Sequence, residues 1–262
     1  MRRRGVLVKI IIYPYVRERF SGLSENPLLP HSKLLELHAL MLRCRALERK
    51  QQSLGGARAA LLAATSIHLL PGDLLSAASG DSVAEQLAPE AKKSSTEGSV
   101  IGGATAGGRM LRCAAAARGL QAAGAEGLVL ALARAGGAES GWAAALEWVH
   151  ASQLPMLVAV ADATAGKPSR GGKHAEPSLD FTSMSRLAKR LKLPVLTVDG
   201  EDAVAVYRVM QESVLRARMG GGPAVLWAVM TPAAVVPKMT RSQQPIVRLE
   251  KYLAARKISL RG

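Results

Sequence analysis

Two short glycine-bearing segments are the places where this sequence could hold an anion. One is Ala133-Arg134-Ala135-Gly136-Gly137, the other Asp162-Ala163-Thr164-Ala165-Gly166. Each follows a continuous apolar run, GLVLALA at 127–133 and MLVAVA at 156–161. Such runs are expected of strands buried on both faces. In an open parallel sheet, ligands bind beyond the carboxyl ends of the strands. Glycines at that turn let the backbone approach a phosphate, and a following helix N-terminus supplies N–H donors. Gly136-Gly137 is neither a Walker loop nor a dinucleotide fingerprint, so a plain tight turn explains it equally well. The segment KPSRGGKH at 167–174 adds Lys167, Arg170, Lys173 and His174. These residues suit anion capture near the strand ends, and a solvated basic loop is the competing reading. As a general base His174 needs a carboxylate partner, and Glu176 and Asp180 are merely near in sequence. The five histidines show no HExxH or other metal spacing.

Periodicity places the elements that must position these segments. Leu34, Leu37, Met41, Cys44 and Leu47 line one face of a helix that follows Pro30. A second helix is expected over 57–69, ending at Pro71-Gly72. Residues 76–100 are rich in Ser, Gly, Lys and Glu and read as a surface loop with one short helix around 82–87. An Ala-rich helix is expected over 104–123. From there strands at 127–133, 156–161, 195–198 and 224–230 alternate with helices at 138–152, 182–192 and 202–218. A last helix is expected over 246–256. Alternation of this kind predicts an α/β fold, a parallel sheet flanked by helices on both faces, with an N-terminal helical segment.

Composition narrows the function classes. Of 262 residues, 48% are hydrophobic, which excludes a wholly disordered chain. Aromatics are 3%, which counts against a stacking platform for single-stranded nucleic acid. Lys and Arg number 35 against 20 Asp and Glu, a net charge of +15. Attraction to polyanions at low salt follows, so a nonspecific polyanion binder is one competing reading; no specific nucleic-acid motif is present. Cys44 and Cys113 read as small core residues in a reducing, cytoplasmic setting. The sequence has no run of 18 uninterrupted apolar residues, so no membrane partner is expected. Residues 1–25 read as a basic N-terminal arm, 26–240 as the main domain and 241–262 as a C-terminal helical tail. For residues 1–24, an upstream extension of the true start and a strand docked on a partner are the other readings.

The chain resembles the alpha subunit of the thiamine-diphosphate-dependent 2-oxo acid dehydrogenases from about Asn26 to Leu260. The resemblance rests on NPLLPHSKLLELHALMLRCRALE (26–48), GARAALLAATSIHLLPGDLL (56–75), VDGEDAVAVYRVMQESVLRAR (198–218) and QPIVRLEKYLAARKI (244–258). It implies a thiamine-diphosphate-binding fold and a beta-subunit partner that supplies the carboxylate activating the cofactor ring. It also implies oxidative decarboxylation of a 2-oxo acid, with acyl transfer to a lipoyl carrier. Family members carry Gly-Asp-Gly after a buried strand and Asn-Asn about thirty residues later, together holding Mg2+ on the diphosphate. Here the first motif falls on Ala133-Arg134-Ala135 or, shifted by one, Arg134-Ala135-Gly136, and the second on Asp162-Ala163. Arg58 stands where the family's Gly-x-Glu-Ala segment is acidic. The region between Asp81 and Gly102 is shorter than in the family.

A cation does not coordinate a guanidinium, so Mg2+ is not expected and no metal ligand is assigned. By resemblance, the residues facing thiamine diphosphate are Arg134, Gly136, Gly137, Asp162, Lys167 and Arg170; catalytic residues stay unassigned. Either Arg134 contacts a phosphate directly with help from Lys167 or Arg170, or Arg134 and Asp162 pair and close a dead site. The expected function is a divergent alpha-like subunit, weakly active or inactive, with its competence as an oxidoreductase left open. The alternative is a structural or regulatory subunit that assembles with a beta-like chain or with itself. Gly103, Ala104, Ala106, Gly107 and Gly108 would allow close helix packing at such an interface or inside the fold.

Overall fold

A computed structural model describes residues 29–50, 58–77, 83, 86–87, 108–137, 140–164, 179–232 and 235–260. Five parallel strands form one sheet: β1 (Leu74–Ser76), β2 (Val129–Arg134), β3 (Met156–Asp162), β4 (Val195–Asp199) and β5 (Ala224–Val229). Their order is β1-β2-β3-β5-β4. The described helices are α1 (His31–Lys50), α2 (Ala59–Ser66), α3 (Arg109–Ala122), α4 (Trp142–Ala151), α5 (Phe181–Leu191), α6 (Ala203–Arg218) and α7 (Pro245–Ala255). The α/β reading holds, with one correction. The sequence pattern gave four strands, and β1 makes a fifth, ending on Ser76 where a surface loop was expected to start. Three residues are too few to show a period, so β1 leaves no signature of its own.

The pleat divides the core in two. Leu130 and Leu132 of β2, Leu157 and Ala159 of β3, and Leu226 and Ala228 of β5 face one side, with α1, α2, α6 and α7. Val129, Ala131 and Ala133, Val158 and Val160, and Val225 and Trp227 face the other, with α3, α4 and α5. Successive side chains of a strand point to opposite faces, so a continuous apolar run feeds both cores. Helix α2, with sequence AALLAATS, is buried at all eight positions. It has no polar face because it sits in the core shared with α1, α6 and the sheet. Ile246, Leu249 and Leu253 carry α7 into the same core.

Two hydrogen-bond clusters fix the ends of the sheet. At the amino end, the buried Asp73 carboxylate accepts from the N–H of Leu70 at 2.7 Å and of Leu128 at 2.9 Å. Arg218 at the end of α6 donates to both Asp73 oxygens, at 3.1 and 2.5 Å, and to the Glu126 carbonyl at 2.8 Å. Removing one partner of a buried pair of this kind costs about 3–5 kcal/mol, because the other charge stays buried. Gly127 is required beside it: an added Cβ would lie 2.5 Å from the Gly72 carbonyl oxygen. At the carboxyl end, Arg248 of α7 donates to Asp199 at 2.8 Å and to Asp202 at 3.5 Å. Asp202 also caps α6, accepting from the N–H of Val204 and Ala205. The buried Glu201 accepts from the Thr231 N–H at 2.8 Å.

Both cysteines are buried, as expected of core residues. Burial, reinforced by the nearby Glu48 charge, pushes the Cys44 thiol up to about 12. His68, just after α2, packs its ring 4.4 Å from Tyr207 and donates to the Tyr207 carbonyl at 3.2 Å. Burial pushes its pKa down to about 4 from 6.5, so it is neutral in the folded protein at pH 7. The unfolded chain then binds the extra proton first. The stabilisation is complete above about pH 6.5 and is lost as pH falls through 4. Between those values the protein should lose up to about 3 kcal/mol from this residue. Urea unfolding across that range should show the loss in the parent and a flatter profile in His68→Gln.

Candidate functional site

Strands β2 and β3 end side by side, so both glycine-bearing segments open on the same edge of the sheet. The register sets Arg134 opposite Ala161, not Asp162. The one-residue offset decides the chemistry. Arg134 shares its face with Leu130 and Leu132, on the α1–α2 side. Asp162 shares its face with Val158 and Val160, on the α4–α5 side. The two side chains leave the sheet in opposite directions.

Asp162 is built into that second core. It is 8% exposed, and its Oδ2 accepts from the Trp227 indole N–H at 2.9 Å. Its Oδ1 accepts from the Thr164 N–H at 2.9 Å and the Thr164 hydroxyl at 2.6 Å. Trp227 is buried, and Phe181 of α5 meets its ring edge-on at 5.4 Å. The expected closure of a dead site by an Arg134–Asp162 pair is therefore corrected. The carboxylate is held by an indole and a hydroxyl on the far side of the sheet from Arg134.

Gly136 and Gly137 form a tight turn. Gly136 takes a φ of +73°, which favours glycine. Its N–H donates to the Leu179 carbonyl at 2.9 Å, and that of Gly137 to the Arg134 carbonyl at 3.1 Å. The Ala135 N–H donates to the Ala161 carbonyl at 3.0 Å. These donors are spent on the turn, and α4 begins only at Trp142. The turn's contribution is to present Arg134, which is exposed.

Arg134 lines a cleft with Arg58, Leu61, Leu62, Leu132, Ala133, Ala159 and Ala161. Sequence reading noted Arg58 only as a departure from a family pattern. The fold brings it under the end of β2, one residue before α2. Arg58 is 7% exposed, with its Nε 3.5 Å from Oε1 of the buried Glu48. Lys167, Arg170, His174 and the small-residue stretch 103–107 lie outside the described residues.

The donor set does not fit a metal-bridged diphosphate. By the resemblance, either Arg134 or Ala135 falls where the family carries its aspartate, and the Asp162 oxygens are engaged by Trp227 and Thr164 on the other face. Among the described residues, no group of three or more His, Cys, Asp or Glu could hold a metal ion.

A model of the family described as "Dehydrogenase E1 component" matches residues 64–231. A stretch of 44 residues is 43% identical to the alpha subunit of acetoin:2,6-dichlorophenolindophenol oxidoreductase from Bacillus subtilis (strain 168). That stretch is 17% of this chain and 13% of that protein. Among solved structures, one similar chain is from Mycobacterium smegmatis and is described as a thiamin diphosphate-dependent enzyme. It is 16% identical with a TM-score of 0.48, and the match covers 67% of this chain and 32% of that one. Benzoylformate decarboxylase from Polynucleobacter necessarius is 12% identical with a TM-score of 0.47, covering 66% and 33%. This chain thus spans about a third of the solved chains it matches.

The two edge residues should separate in a stability measurement. Trp227→Phe leaves a buried carboxylate oxygen without its indole donor and should cost about 1–3 kcal/mol in urea unfolding. Arg134→Ala, at an exposed position, should stay within about 0.5 kcal/mol of the parent. Equal effects would contradict the assignment of the two side chains to different faces.

Proposed function

Because the chain belongs to the dehydrogenase E1 component family, we propose that it is a divergent alpha-like E1 subunit. In this reading it has lost metal-dependent thiamine diphosphate chemistry and serves mainly to assemble with a beta-like chain. The observation that carries the reading is at the sheet edge, where the Asp162 carboxylate is consumed by Trp227 and Thr164. By the resemblance, either Arg134 or Ala135, neither of them a metal ligand, falls where the family ligates Mg2+. Oxidative decarboxylation of a 2-oxo acid, the reaction implied by resemblance, is therefore not assigned to this chain alone.

Two features support an assembly role. The segments that carry the resemblance are joined to each other: Asp199 and Asp202 of VDGED hold Arg248 of the terminal helix. They act as framework, which a non-catalytic subunit still needs. In addition, the outer side of α1 carries an apolar ridge beside the exposed Lys33–Glu36 pair. Leu35 and Leu42 are 38% and 47% exposed, and the exposed Ala39 and Ala46 complete the ridge. Residues at this spacing lie on one face of a helix.

The test is co-elution with a beta-like chain, followed by calorimetric titration with thiamine diphosphate with and without Mg2+. The expected result is a stable complex and no heat that depends on Mg2+. A Mg2+-dependent binding isotherm would overturn the loss of the metal site. Failure to co-elute would overturn the assembly role.

A further inference from the structure

We propose that two copies of this chain pair through α1, packed antiparallel about a two-fold axis. The occupant of the apolar ridge is then a second copy of the chain. This rests on the assembly reading of that ridge and needs no beta-like chain.

The inner face of α1 belongs to the core, where Leu34, Leu37, Met41 and Cys44 are buried. The opposite face has a pattern of its own. Leu35, Ala39, Leu42 and Ala46 are all exposed and follow one another at steps of four, three and four residues. That is the spacing of a coiled-coil seam, in which each apolar residue enters a hole on a facing helix. Single exposed leucines are ordinary. Helix propensity accounts for leucine and alanine one at a time, but not for their alternation along one seam.

The alternation of size fixes the direction. In a parallel pair leucine would face leucine, and alanine would face alanine. Wide and narrow layers would then succeed each other, and no single interaxial distance packs both. In an antiparallel pair Leu35 faces Ala46 of the second copy, and Ala39 faces Leu42. Every layer then joins one large and one small residue. Such a contact uses the same patch on both copies and closes on itself.

Charge favours the same arrangement. Glu36 and Arg43 flank the seam on one side, each directly after one of its leucines. Antiparallel packing brings Glu36 of one copy beside Arg43 of the other, twice by symmetry. Parallel packing would set like charges together. Glu36 meets the exposed Lys33 at 2.7 Å, a pair of small energetic weight. Arg43 donates to the Gln86 carbonyl at 3.1 Å with one of the several donors an arginine carries. The other flank is turned to α7, where His38 meets Glu250 and Arg45 donates to Gln244.

The test is sedimentation velocity of the full chain at physiological salt, over about a hundredfold range of concentration. The parent should pass from monomer to dimer. Ala39→Leu sets leucine against Leu42 of the second copy and should weaken the dimer at least about tenfold. A merely sticky surface would respond the other way, because the variant is more apolar. Ala39→Leu combined with Leu42→Ala exchanges large and small within one layer and should restore association. Glu36→Arg should weaken the dimer, and adding Arg43→Glu should recover it. These positions lie outside the core, so each variant should unfold in urea like the parent. A parent that stays monomeric would overturn the proposal, as would an Ala39→Leu dimer as tight as the parent's. A monomeric parent whose co-elution with a beta-like chain is lost in Ala39→Glu would assign the ridge to that chain instead. Dimerisation is read on the chain alone, so failure of a beta-like chain to co-elute leaves it standing.

Discussion

The alternation of side chains along a parallel strand is the constraint on which the candidate site depends. Strand β2 ends on a residue that faces α1 and α2, and β3 ends on one that faces α4 and α5. Arg134 and Asp162 share an edge yet belong to different cores. Their separation follows from the register that sets Arg134 against Ala161. A one-residue slip would bring the carboxylate to the arginine's face. It would also turn every apolar side chain of that strand to the wrong core, which fixes the register firmly.

The ends of the sheet are held by arginine–carboxylate contacts of unequal burial. Asp73 is sealed at the amino end, where Arg218 joins α6 to the starts of β1 and β2. At the carboxyl end, Arg248 reaches Asp199 and Asp202 from a half-exposed position. Water screens the second cluster more, so its energetic weight is smaller. Its weight in the fold is positional: it ties α7 to the end of β4 and to the cap of α6. Gly200 belongs to the same corner, because a Cβ there would fall against the Met230 sulfur. The most recognisable segments of the sequence are thus structural, and they mark ancestry rather than chemistry.

Much of the fold was legible in the sequence. The apolar runs at β2, β3 and β5 and the heptad-like face of α1 gave strand and helix positions to within a few residues. Strand β1 was not legible, because Leu74–Ser76 is too short to show alternation. The insertion of β5 between β3 and β4 was also hidden, since sheet order depends on long-range packing. At the site, Gly136-Gly137 takes the geometry of a tight turn, one of the two readings its glycines allowed. The partners of Asp162 could not be read, because Trp227 lies 65 residues away in the chain. Arg58 was visible only as an unusual residue; its place beneath the end of β2 required the fold.

The proposed function rests on a sheet edge that does not hold a metal ion. Electron paramagnetic resonance of Mn2+, titrated into the full chain with excess thiamine diphosphate, tests it most directly. The account predicts a spectrum no different from Mn2+ with the diphosphate alone. A protein-bound Mn2+ signal that disappears in Asp162→Ala would contradict it.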